Sequence, residues 1–131
     1  KLHSEIYNFG KWRMPVNNVT IMFKKKSYLL SGGYTKQRQH EDWNLIIRML
    51  VNGVIFYNLQ SVLVYARGGR KMIKRRENFE HFYRGLENIL LMYKLGYTNF
   101  FLTSLNIAAR ILIKIMPIYI KHLLYKYLLR N

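Results

Sequence analysis

The sequence predicts an α+β fold: a few short β-strands accompany one helix that begins with two acids, and a mainly helical, basic C-terminal region follows. Short runs of β-branched and aromatic residues before residue 66 predict the strands. The acids Glu41 and Asp42 precede a helical apolar run that ends at Asn52 and Gly53. From Phe79 onward, apolar residues recur at three- and four-residue spacing, which is typical of amphipathic helices.

The first half of the chain alternates short strands and helical segments. Residues 1–17 show no clear period. Residues 27–30 predict a helical turn that ends at Gly32 and Gly33, because glycine readily adopts positive φ. A longer helix is predicted over residues 41–51. Three strands are predicted, over residues 19–23, 54–57 and 62–65.

The second half is predicted to be helical and basic. A helix over residues 79–93 ends at Gly96, and residues 99–131 form a further helical segment with a break at Pro117. No acidic residue follows Glu87. The longest uncharged apolar run is far shorter than the roughly 20 residues that span a bilayer, so we expect this part to lie in a membrane interface. These features divide the chain into an N-terminal part, residues 1–76, and a C-terminal part, residues 77–131.

Size and composition limit the class of protein. At 131 residues the chain forms one globular domain at most. Its 22 basic and 6 acidic residues give a net charge of +16, which predicts an anionic partner: phosphate groups, nucleic acid or an acidic membrane leaflet. The absence of cysteine excludes disulfides, thiolate zinc sites and a cysteine nucleophile. Because the sequence begins at Lys1 without a secretory signal, we expect it to be a segment of a larger protein.

The acidic pair is the strongest candidate for chemistry. Glu41 and Asp42 lie where a loop that contains a double glycine meets a helix. One interpretation is structural, because acidic residues at a helix start accept hydrogen bonds from free N–H groups and interact favourably with the helix dipole. The other is catalytic, because a carboxylate at this place can accept a proton.

An ordered series of motifs runs from Asn18 to Arg67. It consists of a predicted strand ending in KKK, then GGY, then ED before a helix with one Arg, then G-x-x-F-x-N-L and a predicted strand ending in Arg. The series resembles the acceptor-side half of inverting family-2 glycosyltransferases with the GT-A fold. The resemblance covers about the first half of the chain and implies a C-terminal part of such an enzyme, without its nucleotide-binding N-terminal half.

The resemblance implies roles for the residues around the acidic pair. Asp42 would be the general base that takes the proton from the acceptor hydroxyl, and Glu41 would orient the acceptor or its loop. Gly33 belongs to either an ordinary tight turn or a shaped acceptor pocket. Tyr34 and Trp43 offer ring faces for stacking on a sugar, although either ring also suits a hydrophobic core.

The basic loop after the last predicted strand is a second candidate site. The resemblance implies that Arg67, Arg70 and Lys71 stabilise the departing diphosphate; a merely solvated loop is the alternative. No metal site is predicted in this chain: Asp42 is its only Asp, so the D-x-D metal motif of the family is absent. A divalent cation, Mg²⁺ or Mn²⁺, is expected only in the complete enzyme, and the chain alone is expected to be inactive.

The resemblance also implies partners and a location. A nucleotide-sugar would be the donor and a glycan or lipid-linked molecule the acceptor, in the synthesis of a surface polysaccharide. An anionic membrane surface is a further expected partner, which places the protein in the cytoplasm at the inner face of the plasma membrane. Self-association is left open. The alternative functions are a basic nucleic-acid-binding module, and a membrane-surface adaptor in which Glu41 and Asp42 are helix caps only.

Overall fold

The structure is a computed structural model, and it describes residues 2–65, 78–117 and 119–120. All regular secondary structure in these residues is helical. A short 3-10 helix separates the first two α-helices in the chain. The α-helices are α1 His3–Gly10, α2 Lys25–Leu30, α3 Glu41–Val51, α4 Phe79–Lys94 and α5 Phe100–Ile115, and the 3-10 helix is Asn18–Thr20.

The hydrophobic core surrounds α3. This helix buries six apolar side chains, and α1, the segment after α3, α4 and the turn after α4 supply the remaining buried side chains around it. A wide apolar side is typical of a helix that packs against several neighbours at the centre of a fold. The buried apolar residues are Ile6, Trp43, Leu45, Ile46, Ile47, Met49, Leu50, Phe56, Ile89, Met92 and Tyr97.

Local capping groups set the ends of α4 and α5. The Asn78 side chain accepts a hydrogen bond from the His81 amide at 2.6 Å, and the Asn99 side chain accepts one from the Leu102 amide at 2.8 Å. Both are N-cap bonds, which satisfy amides that have no partner inside the helix. Gly96, with φ of 69°, follows α4. The structure therefore confirms the predicted helices over 41–51 and 79–93, and the predicted helical segment from residue 99 over the length of α5.

The sequence did not reveal α1. The backbone amide of Leu2 donates to the Glu5 carboxylate at 2.8 Å, and the Tyr97 hydroxyl donates to the Tyr7 carbonyl. Only Ile6 and Gly10 of this helix are buried. Two buried positions in eight residues are too few to produce a visible helical period.

The predicted α+β fold class is wrong: the described residues contain no strand and no sheet. Residues 19 and 20 belong to the 3-10 helix, and residues 54–57 and 62–65 are neither helical nor paired with another segment. β-branched and aromatic residues favour a strand only where a neighbouring strand completes the hydrogen-bond ladder. No described segment provides that ladder, and Ile55, Val62 and Tyr65 are exposed.

The predicted boundary between residues 76 and 77 lies outside the described residues and stays a prediction. Side chains from both sides of it, such as Ile47 and Met92, nevertheless belong to one hydrophobic cluster. In the described part of the chain, no helix has both the length and the apolar character needed to cross a membrane.

Candidate functional site

Asp42 lies in the first turn of α3 and is partly exposed. Its Oδ1 accepts a hydrogen bond from the Trp43 amide at 2.7 Å. Within the described residues, the Trp43 amide is the one hydrogen-bond donor to this carboxylate, and the bond goes to one of its two oxygens.

The residue before α3 has an unusual backbone that fixes the direction of the acidic pair. His40 has φ of 60°, the left-handed region, which non-glycine residues adopt at a cost of about 1–3 kcal/mol when the surroundings impose it. Its carbonyl accepts hydrogen bonds from the Asn44 amide at 3.0 Å and from the Asn88 side chain at 3.1 Å. Its ring Nε2 lies 3.1 Å from the His81 carbonyl. Contacts from α3 and α4 thus hold the chain reversal ahead of Glu41.

A hydrogen-bonded chain of side chains, one of them buried, connects α4 with α3. Asn88 is buried in α4, and its Oδ1 accepts from the Asn44 side-chain amide at 3.1 Å. Asn44 Oδ1 in turn accepts from Nε of Arg48 at 2.9 Å. Because each of these polar groups has a partner, the network stabilises one arrangement of the two helices.

Arg48 extends the network to the double-glycine turn. Its guanidinium donates to the Gly33 carbonyl at 2.6 Å and to the Ser31 carbonyl, and burial lowers its pKa. Gly32 and Gly33 have φ of 77° and 63°. A Cβ on Gly33 would lie 2.9 Å from the hydroxyl of Tyr28, so both the conformation and the space require glycine here.

Tyr34 follows this turn, and its hydroxyl donates to Asn18 Oδ1 at 3.4 Å. Its amide donates to the Tyr28 hydroxyl at 3.1 Å, and its ring is exposed. The pKa of the Tyr34 hydroxyl is raised, first by burial and then by the negative charges of Asp42 and Glu41. The charges of Asp42 and Glu41 at the helix start therefore act on Tyr34 of the turn, and the roles predicted for Gly33, Tyr34, Glu41 and Asp42 in binding an acceptor stay predictions.

Trp43 lies on the other side of the helix start, inside the core. Its side chain is buried, the His40 ring lies 5.6 Å from it, and the Arg110 guanidinium lies 5.8 Å from its ring centroid. Its indole Nε1 is buried, and no described group accepts a hydrogen bond from it. The role of Trp43 in stacking on a sugar stays a prediction.

Arg110 joins α5 to the first turn of α4. Its guanidinium donates to the carbonyls of His81 at 3.2 Å and Phe82 at 3.3 Å, and burial lowers its pKa. A Cβ on Gly85 would lie 1.7 Å from this guanidinium, so the glycine makes room for it.

Sequence reasoning missed Asn88 and Arg110 as parts of this site. The available signal was polarity at a core position, since Asn88 follows Gly85 by three residues and precedes Ile89 and Met92 on the buried side of α4. A polar residue within a buried stripe usually has a specific hydrogen-bond partner.

Two further predictions concern phosphate and metal. Arg67, Arg70 and Lys71, the predicted diphosphate contacts, lie outside the described residues. In the part of the chain that the structure describes, no three His, Asp or Glu side chains converge as metal ligands. The divalent cation that the resemblance implies for the complete enzyme stays a prediction.

Three curated proteins are similar to nearly the whole chain. The UDP-Gal:alpha-D-GlcNAc-diphosphoundecaprenol beta-1,3-galactosyltransferase of Escherichia coli is 28% identical over 128 residues, which are 98% of this chain and 46% of that protein. An amylovoran biosynthesis glycosyltransferase of Erwinia amylovora is 26% identical over 124 residues, 95% of this chain and 47% of that protein. An uncharacterized glycosyltransferase of Haemophilus influenzae is 30% identical over 127 residues, 97% of this chain and 47% of that protein.

The homologues of this chain are therefore glycosyltransferases, and the chain spans about half the length of the curated relatives it matches. No protein-family model matches the chain. No solved structure matches it either.

Proposed function

We propose that this chain is the acceptor-side part of an inverting family-2 glycosyltransferase, which transfers a sugar from a nucleotide-sugar to a glycan or lipid-linked acceptor during polysaccharide synthesis. The observation that supports this most is the alignment of nearly the whole chain with glycosyltransferases. In addition, the single aspartate of the chain is a partly exposed carboxylate at a helix start. We infer the class of substrate from the names of two relatives, a galactosyltransferase and an amylovoran biosynthesis enzyme.

In the proposed reaction, Asp42 is the general base. The acceptor hydroxyl oxygen attacks the anomeric carbon of the donor, and the bond from that carbon to the diphosphate breaks with its electron pair. The hydroxyl proton passes to the second carboxylate oxygen of Asp42, the one that does not bind the Trp43 amide. Attack opposite to the leaving group inverts the anomeric carbon. The hydrogen bond from the Trp43 amide to Oδ1 leaves the second carboxylate oxygen in position to take the proton.

The neighbouring residues position the acceptor in this proposal. Tyr34 has an exposed ring within electrostatic reach of Asp42, which suits contact with a sugar. Gly33 fixes the turn that presents this ring, because its carbonyl is bound to Arg48. Glu41, beside Asp42, orients the acceptor through hydrogen bonds to its hydroxyls.

The proposed donor contacts involve other parts of the protein. We assign the diphosphate to Arg67, Arg70 and Lys71, whose positive charges would neutralise the leaving group. Because the relatives are about twice as long, we propose that transfer requires residues beyond these 131, including those that bind a divalent cation.

The substitution Asp42→Asn in the full-length protein tests the role of this residue. Asparagine can accept the same hydrogen bond from the Trp43 amide, but it cannot take a proton. We expect transfer to fall by about 10²–10⁴-fold, the usual contribution of a general base, with an unchanged thermal unfolding midpoint. Transfer is measured from UDP-galactose, the donor in the name of the Escherichia coli relative, and from a panel of other nucleotide-sugars.

The matched control is Glu5→Gln, which neutralises an acid at the start of α1 and should leave transfer unchanged. If Asp42→Asn retains transfer within a few-fold of the wild type, Asp42 is only a helix cap and the proposed mechanism is wrong.

A further inference from the structure

Helix α5 buries its polar side and not its apolar side. Thr103, Asn106 and Arg110 point toward the rest of the protein, one helical turn apart. The Asn106 side-chain amide donates to the Lys11 carbonyl at 3.0 Å, and the Thr103 hydroxyl forms a 2.9 Å hydrogen bond with the hydroxyl of Thr98. These hydrogen bonds attach α5 to the fold together with Ile107, which packs against the hydrophobic core.

The opposite side of α5 is apolar and exposed. Five residues at helical spacing form what we call the outward stripe. Phe101 is 76% exposed, Leu112 62% and Ile115 75%. An amphipathic helix normally turns this kind of face toward a core. The residues of the outward stripe are Phe101, Leu105, Ala108, Leu112 and Ile115.

No negative side chain lies on this helix. Helix α5 contains no Asp or Glu, and no acidic residue follows Glu87 in the sequence. The net charge of the chain is +16. Two copies that met through their stripes would bring together surfaces of like charge, whereas an anionic surface would be attracted.

We propose that the outward stripe of α5 docks on the surface of a membrane that contains anionic phospholipids. The stripe inserts among the headgroups and upper acyl chains, while α5 stays parallel to the membrane plane and its polar side remains bound to the protein. Exposed apolar residues on one helical face, combined with an excess of basic charge, are the two features of interfacial helices. This proposal goes beyond glycosyl transfer and does not depend on it.

The test compares two double substitutions in the full-length protein. Leu112→Gln with Ile115→Gln removes half of the strongly apolar stripe without touching the polar contacts. Val19→Gln with Met22→Gln is the matched control, because these side chains are 71% and 96% exposed and lie far from α5 in the chain. Each protein is sedimented with vesicles of phosphatidylcholine alone and of phosphatidylcholine mixed with phosphatidylglycerol.

We expect the wild type and the control to sediment with the mixed vesicles and much less with the neutral ones. The stripe variant should bind the mixed vesicles roughly tenfold more weakly or worse, because each lost side chain removes apolar burial. Equal vesicle binding by the stripe variant and the wild type would overturn the proposal. Equal binding to neutral and anionic vesicles by the wild type would also overturn it.

A spin label gives a second measurement that separates a membrane from a protein partner. The sequence contains no cysteine, so Leu112→Cys and Met22→Cys can each be labelled with a nitroxide. We expect vesicles to increase the oxygen accessibility of the label at 112 and to lower its accessibility to a water-soluble nickel complex, with no change at 22.

Immobilisation of the label at 112 before vesicles are added would contradict the proposal, because it would show that protein already covers the stripe. Sedimentation velocity then identifies the protein that covers the stripe. A dimer that is lost in the stripe variant would show that a second copy of the chain covers it. A monomer would show that another part of the same chain does. These two tests measure membrane binding and not sugar transfer. Their outcomes therefore do not depend on whether Asp42→Asn loses or retains transfer.

Discussion

Helices α3 and α5 each have an apolar side and a polar side, but they turn opposite sides toward the rest of the protein. Helix α3 turns its apolar side chains inward and places the acids Glu41 and Asp42 at its partly exposed start. Helix α5 turns Thr103 and Asn106 inward and leaves Leu112 exposed. Apolar residues therefore build the core around α3, whereas hydrogen bonds attach α5 to it.

The difference shows that the hydrophobic pattern of a helix identifies two sides but not which of them faces the fold. The inward side of α5 donates hydrogen bonds to the backbone carbonyls of Lys11, His81 and Phe82. Loss of such a bond at a partly buried carbonyl is unfavourable by about 1–3 kcal/mol, so polar side chains fit there better than apolar ones.

The largest expected effect comes from the same substitution in each helix. Ile47→Ala in α3 should lower the free energy of unfolding by about 2–5 kcal/mol, because it leaves a cavity in the core. Ile115→Ala in α5 should change it by no more than about 0.5 kcal/mol, because this side chain is exposed. Urea denaturation measures both values. Similar losses in the two variants would show that protein covers the α5 stripe in solution.

A smaller effect is expected from making the inward side of α5 apolar. Asn106→Leu should lower the free energy of unfolding by about 1–3 kcal/mol, although leucine is more apolar, because the Lys11 carbonyl loses its donor. The control is Ser104→Leu on the exposed side of the same helix, for which we expect almost no change. Stabilisation by Asn106→Leu would mean that the polar attachment of α5 has been assigned wrongly.

The smallest effect concerns the cation near the end of α5. Lys114 Nζ lies 5.4 Å from the ring centroid of Phe79 and 6.0 Å from that of Phe82. Lys114→Met keeps the length of the side chain and should lower the free energy of unfolding by about 0.5–1 kcal/mol through loss of this cation–π contact. Lys26→Met, at an exposed position in α2, is the control. An equal effect at both positions would argue against the contact.

Much of the candidate site could be predicted because it depends on local chemistry. Two acids after a loop predict a helix start, and a double glycine predicts a turn with positive φ; the structure has both. The roles of Gly33 and Tyr34 beside Asp42 came from the order of the motifs GGY and ED in the sequence, and they stay predictions. Asn88 and Arg110 act from about 50 and 70 residues away in the chain, and no local pattern indicates such partners.

The predicted strands show where local patterns were misleading. Residues 54–57 and 62–65 have strand-like composition, yet the described residues offer no neighbouring strand. A helix satisfies its hydrogen bonds within one segment, whereas a strand depends on another segment. Helices were therefore predicted more reliably than strands.

By itself, the sequence determined the positions of α3, α4 and α5, the excess of basic charge, and the placement of Asp42 at a helix start, because periodicity, charge and capping act within a few residues. Only the tertiary structure decided that Trp43 is buried, that Asn88 supports the turn at His40, and that α5 turns its polar side inward. These outcomes depend on which donors and acceptors meet across distant segments, and hydrogen bonds between such segments form only when the whole chain folds.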